Sequence, residues 1–117
     1  MKGNVADPGL APEGRRKIDW VKSHMPVMAE IEGQLAEEKP FDGHRIGVSI
    51  HLEAKTARLA QALRVAGAEV FVTSSNPLST QDDVASALNE EEGVTVFSRW
   101  GVSEEEYENQ LEQVLSN

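Results

Sequence analysis

"RIGVSIHLEAKTARLAQALRVAGAEVFVTSS", residues 45–75, changes its hydrophobic period twice. Ile46, Val48 and Ile50 alternate with small or polar residues, the period-two pattern of a strand, which is expected to end at His51. Leu59, Ala62, Leu63 and Ala66 then recur at helical spacing, and Gly67 stands where a left-handed C-terminal cap is wanted. "EVFVTSS", residues 69–75, returns to the strand pattern. Strand, helix and strand with short connections imply a right-handed crossover and a parallel pair.

The same alternation continues on the C-terminal side. Val84, Ala87 and Leu88 mark a helix starting after Ser79 or Thr80 as cap, and "VTVFSR", residues 94–99, reads as a third strand. A last helix begins at Ser103, with Glu106 completing a capping box, and is expected to bury Tyr107, Leu111, Val114 and Leu115. On the N-terminal side, Ile18, Val21 and Met25 share one helical face, as do Met28, Ile31 and Leu35. Pro26 suits the first turn of a new helix and disfavours helical geometry at Met25, so two helices meet there.

Residues 1–12, containing Pro8, Gly9 and Pro12, read as a loosely held arm, 13–40 as a helical segment and 41–117 as a partial α/β domain. The fold class is thus α/β: two N-terminal helices followed by a βαβαβα Rossmann-like parallel sheet. Three parallel strands leave two edges with unpaired backbone groups, so the domain is expected to be incomplete.

A chain of 117 residues with 39% hydrophobic and 26% charged residues has the balance of one soluble globular unit. Its formal net charge of -9 argues against nucleic acid or anionic membrane surfaces as partners. The absence of cysteine excludes disulfides and thiolate chemistry and points to the cytoplasm. No apolar run approaches the ~20 residues that a membrane helix requires.

Ligands of open α/β sheets bind outside the carboxyl ends of the strands, here His51 to Lys55, Ser74 to Asp83, and Arg99 with Trp100. Together these ends offer the hydroxyls of Ser74, Ser75, Ser79 and Thr80, the amides of Asn76 and Gln81, and the carboxylates of Asp82 and Asp83. Such a set suits a neutral, hydroxyl-rich ligand such as a nucleoside. Structural roles compete with that reading. Ser79 or Thr80 can cap a helix, Asn76 and Pro77 can serve the turn alone, His51 can be structural, and Trp20 and Trp100 can be core. No phosphate loop, paired metal histidines or nucleophile elbow is present.

"SIHLEAKTARLAQAL" (49–63) and "GAEVFVTSSNPLSTQDDVASAL" (67–88) resemble the amino-terminal substrate-binding region of the adenosylhomocysteinase family, particularly its archaeal and thermophilic-bacterial branch. "KIDWVKSHMPVM" (17–28), "KPFDGHRIGVSIH" (39–51) and "EEEYENQLEQVL" (104–115) extend the likeness in the same order, over about residues 13–116. The resemblance implies reversible hydrolysis of S-adenosylhomocysteine to adenosine and homocysteine. In that chemistry NAD oxidises the ribose 3'-hydroxyl, the acidified 4'-proton leaves, homocysteine is eliminated, water adds and the ketone is reduced. It also implies a homotetramer.

Position by position, His51 matches the family's histidine beside the ribose and leaving group, a proton-transfer candidate. Asn76, Ser79, Thr80, Gln81 and Asp82 match its Asn-x-x-Ser-Thr-Gln-Asp loop, and Thr56 matches a threonine on the following helix. Glu53 and Lys55 stand where the animal and plant branch has threonine and glutamate or glutamine, at nucleoside-contacting positions. An ammonium at Lys55 can only donate, which suits a purine carbonyl, so inosyl substrates are expected to compete with adenosyl ones. The family's Asp-Asp-Gly-Gly-Asp segment, its catalytic lysine and aspartate, and its NAD domain are expected beyond Asn117, so the chain reads as an inactive fragment of the enzyme. The alternative is a stand-alone nucleoside-binding or protein-interaction module derived from that domain.

Overall fold

Val48, Val70, Val72, Val94 and Val96 form a wall of β-branched side chains, and it fixes the architecture of the chain. The computed structural model describes residues 3–117. These valines lie on β1 (Arg45–Ser49), β2 (Glu69–Thr73) and β3 (Val94–Val96), a parallel sheet of order β1-β2-β3. Ile46 pairs with Val70, and Val70 with Val94, so equivalent residues of the three strands line up across the sheet.

Two right-handed crossovers in one direction place α3 (Ala54–Val65) and α4 (Asp82–Asn89) on the same face of the sheet. Both helices meet the valines through small residues, Ala57 and Ala60 on α3 and Ala85 and Ala87 on α4, all fully buried. Small side chains let the helix backbones approach the sheet closely. α1 (Ala11–Lys22) lies across α3 and α4 as an outer layer, with Ile18 fully buried. Gly14 makes that crossing possible, since a Cβ there would fall 1.8 Å from the Asp83 carbonyl oxygen. α5 (Glu104–Leu115) covers the opposite face, where Val114 fills the space left by Gly47. Ser103 caps α5 by accepting from the Glu106 N–H at 3.1 Å.

α2 (Pro26–Glu38) starts at Pro26 after a non-helical Met25, as the proline requires, and buries none of its residues fully. A polar chain ties it to the body. Arg58 on α3, 1% exposed, donates to Glu32 of α2 and to Gln61; Gln61 donates to Glu91, which also receives Arg15 of α1. Removing one partner from such a buried pair leaves an uncompensated charge, so the chain of contacts fixes the helix layer more than it stabilises it.

The fold class is the one expected, with several local corrections. Residues 4–11, within the stretch expected to be a loose arm, are packed. Asn4 N–H donates to Val96 and the Asn4 carbonyl accepts from Ser98 N–H, which adds a short parallel bridge to the edge of β3. Val5 and Ala11 are buried, Pro8–Leu10 form a 3-10 turn capped by Asp7, and the Asp7 carbonyl receives the Ser86 hydroxyl. Proline and glycine here shape a fitted turn rather than a loose one. Trp20, expected in the core, is 64% exposed and stacks on His24 at 4.1 Å. Leu115 is 84% exposed, and Gln110, one turn before Val114, takes the buried position instead. On α3 the packed face runs through alanines, which leaves Leu59 at the surface.

Candidate functional site

The turns that follow β1 and β2 are stitched together at backbone level. Leu52 N–H donates to the Ser79 carbonyl at 2.8 Å, and Gln81 N–H to the Leu52 carbonyl at 2.9 Å, so Leu52 and Thr80 form an isolated parallel bridge beyond the sheet. Above this floor opens a cleft of about 290 Å³ lined by His51, Leu52, Glu53, Leu78, Ser79, Thr80, Gln81 and Trp100. It sits at the carboxyl ends of all three strands, where an open α/β sheet is expected to hold its ligand.

His51 projects from the end of β1 and shares a hydrogen bond of 3.0 Å between its Nδ1 and Ser75 Oγ. Ser75 Oγ in turn lies 3.3 Å from Ser79 Oγ. Among the described residues no protein group bonds Nε2, so that nitrogen is available to a ligand. Behind the ring, the Thr56 hydroxyl donates to the His51 carbonyl and fixes the turn into α3. Orientation by one nitrogen and availability of the other is the arrangement that proton transfer by histidine requires.

The loop between β2 and α4 holds its shape with its own side chains. Asn76 Oδ1 accepts from Leu78 N–H at 2.8 Å, an Asx turn, while Ser79 Oγ accepts from Asn76 N–H and donates to the Asn76 carbonyl. Thr80 does not cap α4 either. Its hydroxyl is buried against Ser98 Oγ, and the helix starts after an uncapped Gln81. Asp82 Oδ1 reaches across to accept from Trp100 N–H at 2.9 Å, and Gly101 N–H donates to the Pro77 carbonyl at 2.8 Å. The turn after β3 is thereby clamped onto the β2–α4 loop.

Of the nine residues singled out from the sequence, the cleft gathers His51, Glu53, Ser79, Thr80 and Gln81. Thr56, Asn76 and Asp82 hold the surrounding turns, and Lys55 is exposed outside the lining. Leu52, Leu78 and Trp100 also line the cleft; they fall within the strand-end stretches but were not singled out as ligand-binding side chains. The signal for Trp100 was present in its position directly after the third strand; its aromatic character suggested core instead. Larger recesses lie elsewhere, among them an acidic groove along α5 and an apolar one at the α1–α2 junction lined by His24, Met25, Pro26, Val27, Met28 and Ile31. Neither is at the strand ends.

Among the described residues no group of three or more His, Cys, Asp or Glu side chains converges as a metal site. No helix there is long and apolar enough to cross a membrane. The turns into α3 (50–53) and α4 (74–81) contain no glycine, so they do not offer the close backbone approach that a dinucleotide pyrophosphate needs.

A parallel α/β unit with a hydroxyl- and amide-lined cleft at its strand ends has the form of a domain that takes a small polar ligand. Residues 2–117 match the family described as S-adenosyl-L-homocysteine hydrolase. The chain belongs to that family. It is 50% identical over 113 residues to S-inosyl-L-homocysteine hydrolase of Methanopyrus kandleri, covering 97% of this chain and 26% of that protein. It is 48% identical over 105 residues to adenosylhomocysteinase of Haloquadratum walsbyi, covering 90% and 24%. With adenosylhomocysteinase of Pyrococcus abyssi the figures are 50% over 111 residues, 95% and 26%. The chain spans about a quarter of the length of these relatives.

Proposed function

We propose that this chain supplies the nucleoside side of the active site of a thioether hydrolase that cleaves S-adenosyl- or S-inosyl-homocysteine to the free nucleoside and homocysteine. The observation that carries the proposal is the cleft at the strand ends, in which His51, held by Ser75, shares the lining with Ser79, Thr80 and Gln81. Family membership and relatives carrying both substrate names support the chemistry.

In this reading His51 moves a proton at the 5' position of the ribose, through the Nε2 that Ser75 leaves available. Ser79 and Gln81 bind ribose hydroxyls, Thr80 supports them from below through its bond to Ser98, and Glu53 takes the purine edge. A carboxylate accepts equally from the adenine amino group or from hypoxanthine N1–H, which fits both relatives' names. Lys55, exposed and outside the lining, is given no part in that contact. Thr56, Asn76 and Asp82 act by shaping the turns.

NAD, when bound, would supply the oxidation that acidifies the ribose C–H. The strand-to-helix turns of this chain do not fit it, so we assign it to the part of a relative-length protein outside the matched quarter. No proton or hydride step through NAD involves the residues described above. We further assign the protein to the cytoplasm and to a homo-oligomer, a tetramer as the family resemblance implies.

The test uses the full polypeptide that carries this sequence, with and without His51→Asn. The parent should hydrolyse S-adenosyl- or S-inosyl-homocysteine, and the variant should lose about 10²–10⁴-fold in kcat while binding the nucleoside with little change. A parent that cleaves neither substrate, or a variant with unaltered kcat, overturns the proposal.

A further inference from the structure

Leu78 and Trp100 are the exposed apolar members of the cleft, Leu52 being buried in its floor. Leu78 is 66% exposed and Trp100 60% exposed, yet the backbone of each is fixed before any ligand arrives. Asn76 holds Leu78 N–H, Asp82 holds Trp100 N–H, and the Gly101-to-Pro77 bond joins the two turns. Glu53 and His51 come to the cleft from the turn after β1, whereas the isobutyl and indole groups come from the joined turns after β2 and β3.

Resting on the function proposed above, we infer that Trp100 and Leu78 form the subsite for the homocysteinyl arm, the thioether chain with its terminal ammonium. With the purine at Glu53 and the 5' carbon at His51, the arm leaves the ribose toward the β3 side. A methylene–sulfur chain gains from contact with an aromatic ring and an aliphatic branch, and an ammonium gains from the face of an indole, the best of the aromatic partners for a cation. Asp82 then acts as a positioning residue, its carboxylate holding the Trp100 turn in place.

The experiment measures dissociation constants in the full polypeptide for S-adenosylhomocysteine and for adenosine, which lacks the arm, with inosyl counterparts run in parallel. Trp100→Ala should weaken binding of the thioether about tenfold and of the nucleoside less than about twofold. Trp100→Phe should recover most of the loss, Leu78→Ala should show a smaller loss of the same selectivity, and Asp82→Asn should bind better than Asp82→Ala because it keeps the acceptor. In a Trp20→Phe background, the emission assigned to Trp100 by difference should be quenched by the thioether and not by the nucleoside. Equal weakening of both ligands would seat the nucleoside itself on Trp100, and no weakening of either would leave the two side chains without a ligand; each overturns the inference while leaving the proposed function standing. A parent that binds neither ligand removes the proposed function, and this subsite with it.

Discussion

Thr80 and Ser98 show how a single hydroxyl pair supports the cleft. Thr80 is nearly inaccessible and Ser98 fully buried, and each hydroxyl has the other as its partner. Thr80→Val keeps the shape but leaves the Ser98 hydroxyl without a partner, which should cost about 1–3 kcal/mol in urea unfolding. The double variant Thr80→Val, Ser98→Ala removes both polar groups and should recover most of that loss; additive losses would show that the pair is not coupled. At this scale the sequence was partly readable. Hydroxyls at the strand ends signalled a polar cleft, and His51, Glu53 and Gln81 do line it. What could not be read was which polar side chains face a ligand and which close a turn: Asn76 and Thr56 are taken up by backbone groups of their own turns, and Asp82 finds Trp100 only when two loops meet. Trp100 was obscured for a related reason: an indole after a strand packs inward or outward according to a backbone clamp from Asp82.

Helix contacts set the next scale. Gly14 and Gly33 are both helical glycines with opposite expected behaviour. A Cβ at Gly14 of α1 would enter the backbone of α4 at Asp83 and Val84, so Gly14→Ala should destabilise by about 3 kcal/mol as the helices are forced apart. A Cβ at Gly33 of α2 meets nothing within 4 Å, so Gly33→Ala should stabilise by up to about 1 kcal/mol through helix propensity alone. Paired thermal unfolding experiments check both signs. Because Asp83 belongs to the first turn of α4, the Gly14 variant should also loosen the Gln81 side of the cleft. The order and type of these elements followed from hydrophobic period and from Pro26, Gly67 and Ser103, which act locally. The packed face of α3 did not, since a tally of leucines points to Leu59 while the sheet selects alanines for close approach.

For the molecule as a whole, charge is the dominant long-range term. Eleven basic residues against twenty acidic ones give -9, and the ion pairs Arg15–Glu91, Lys17–Asp83 and Arg58–Glu32 offset only part of the repulsion. Raising sodium chloride from about 0.02 to about 0.5 M should therefore raise Tm by about 5 °C, roughly 1 kcal/mol for a chain of this size. A falling Tm would mean that the ion pairs outweigh the net charge. The low content of basic residues was visible in composition; the packing of residues 4–11 was not, because Asn4 bonds to a strand that lies almost at the other end of the chain.

That pairing has a consequence for synthesis. Asn4 is made roughly ninety residues before its backbone partners, Val96 and Ser98. α1 waits in the same way for α4. The β1–α3–β2 unit can fold as it appears, whereas the Asn4 segment must remain unpaired until β3 is exposed, so that edge of the sheet closes by a contact of long sequence separation.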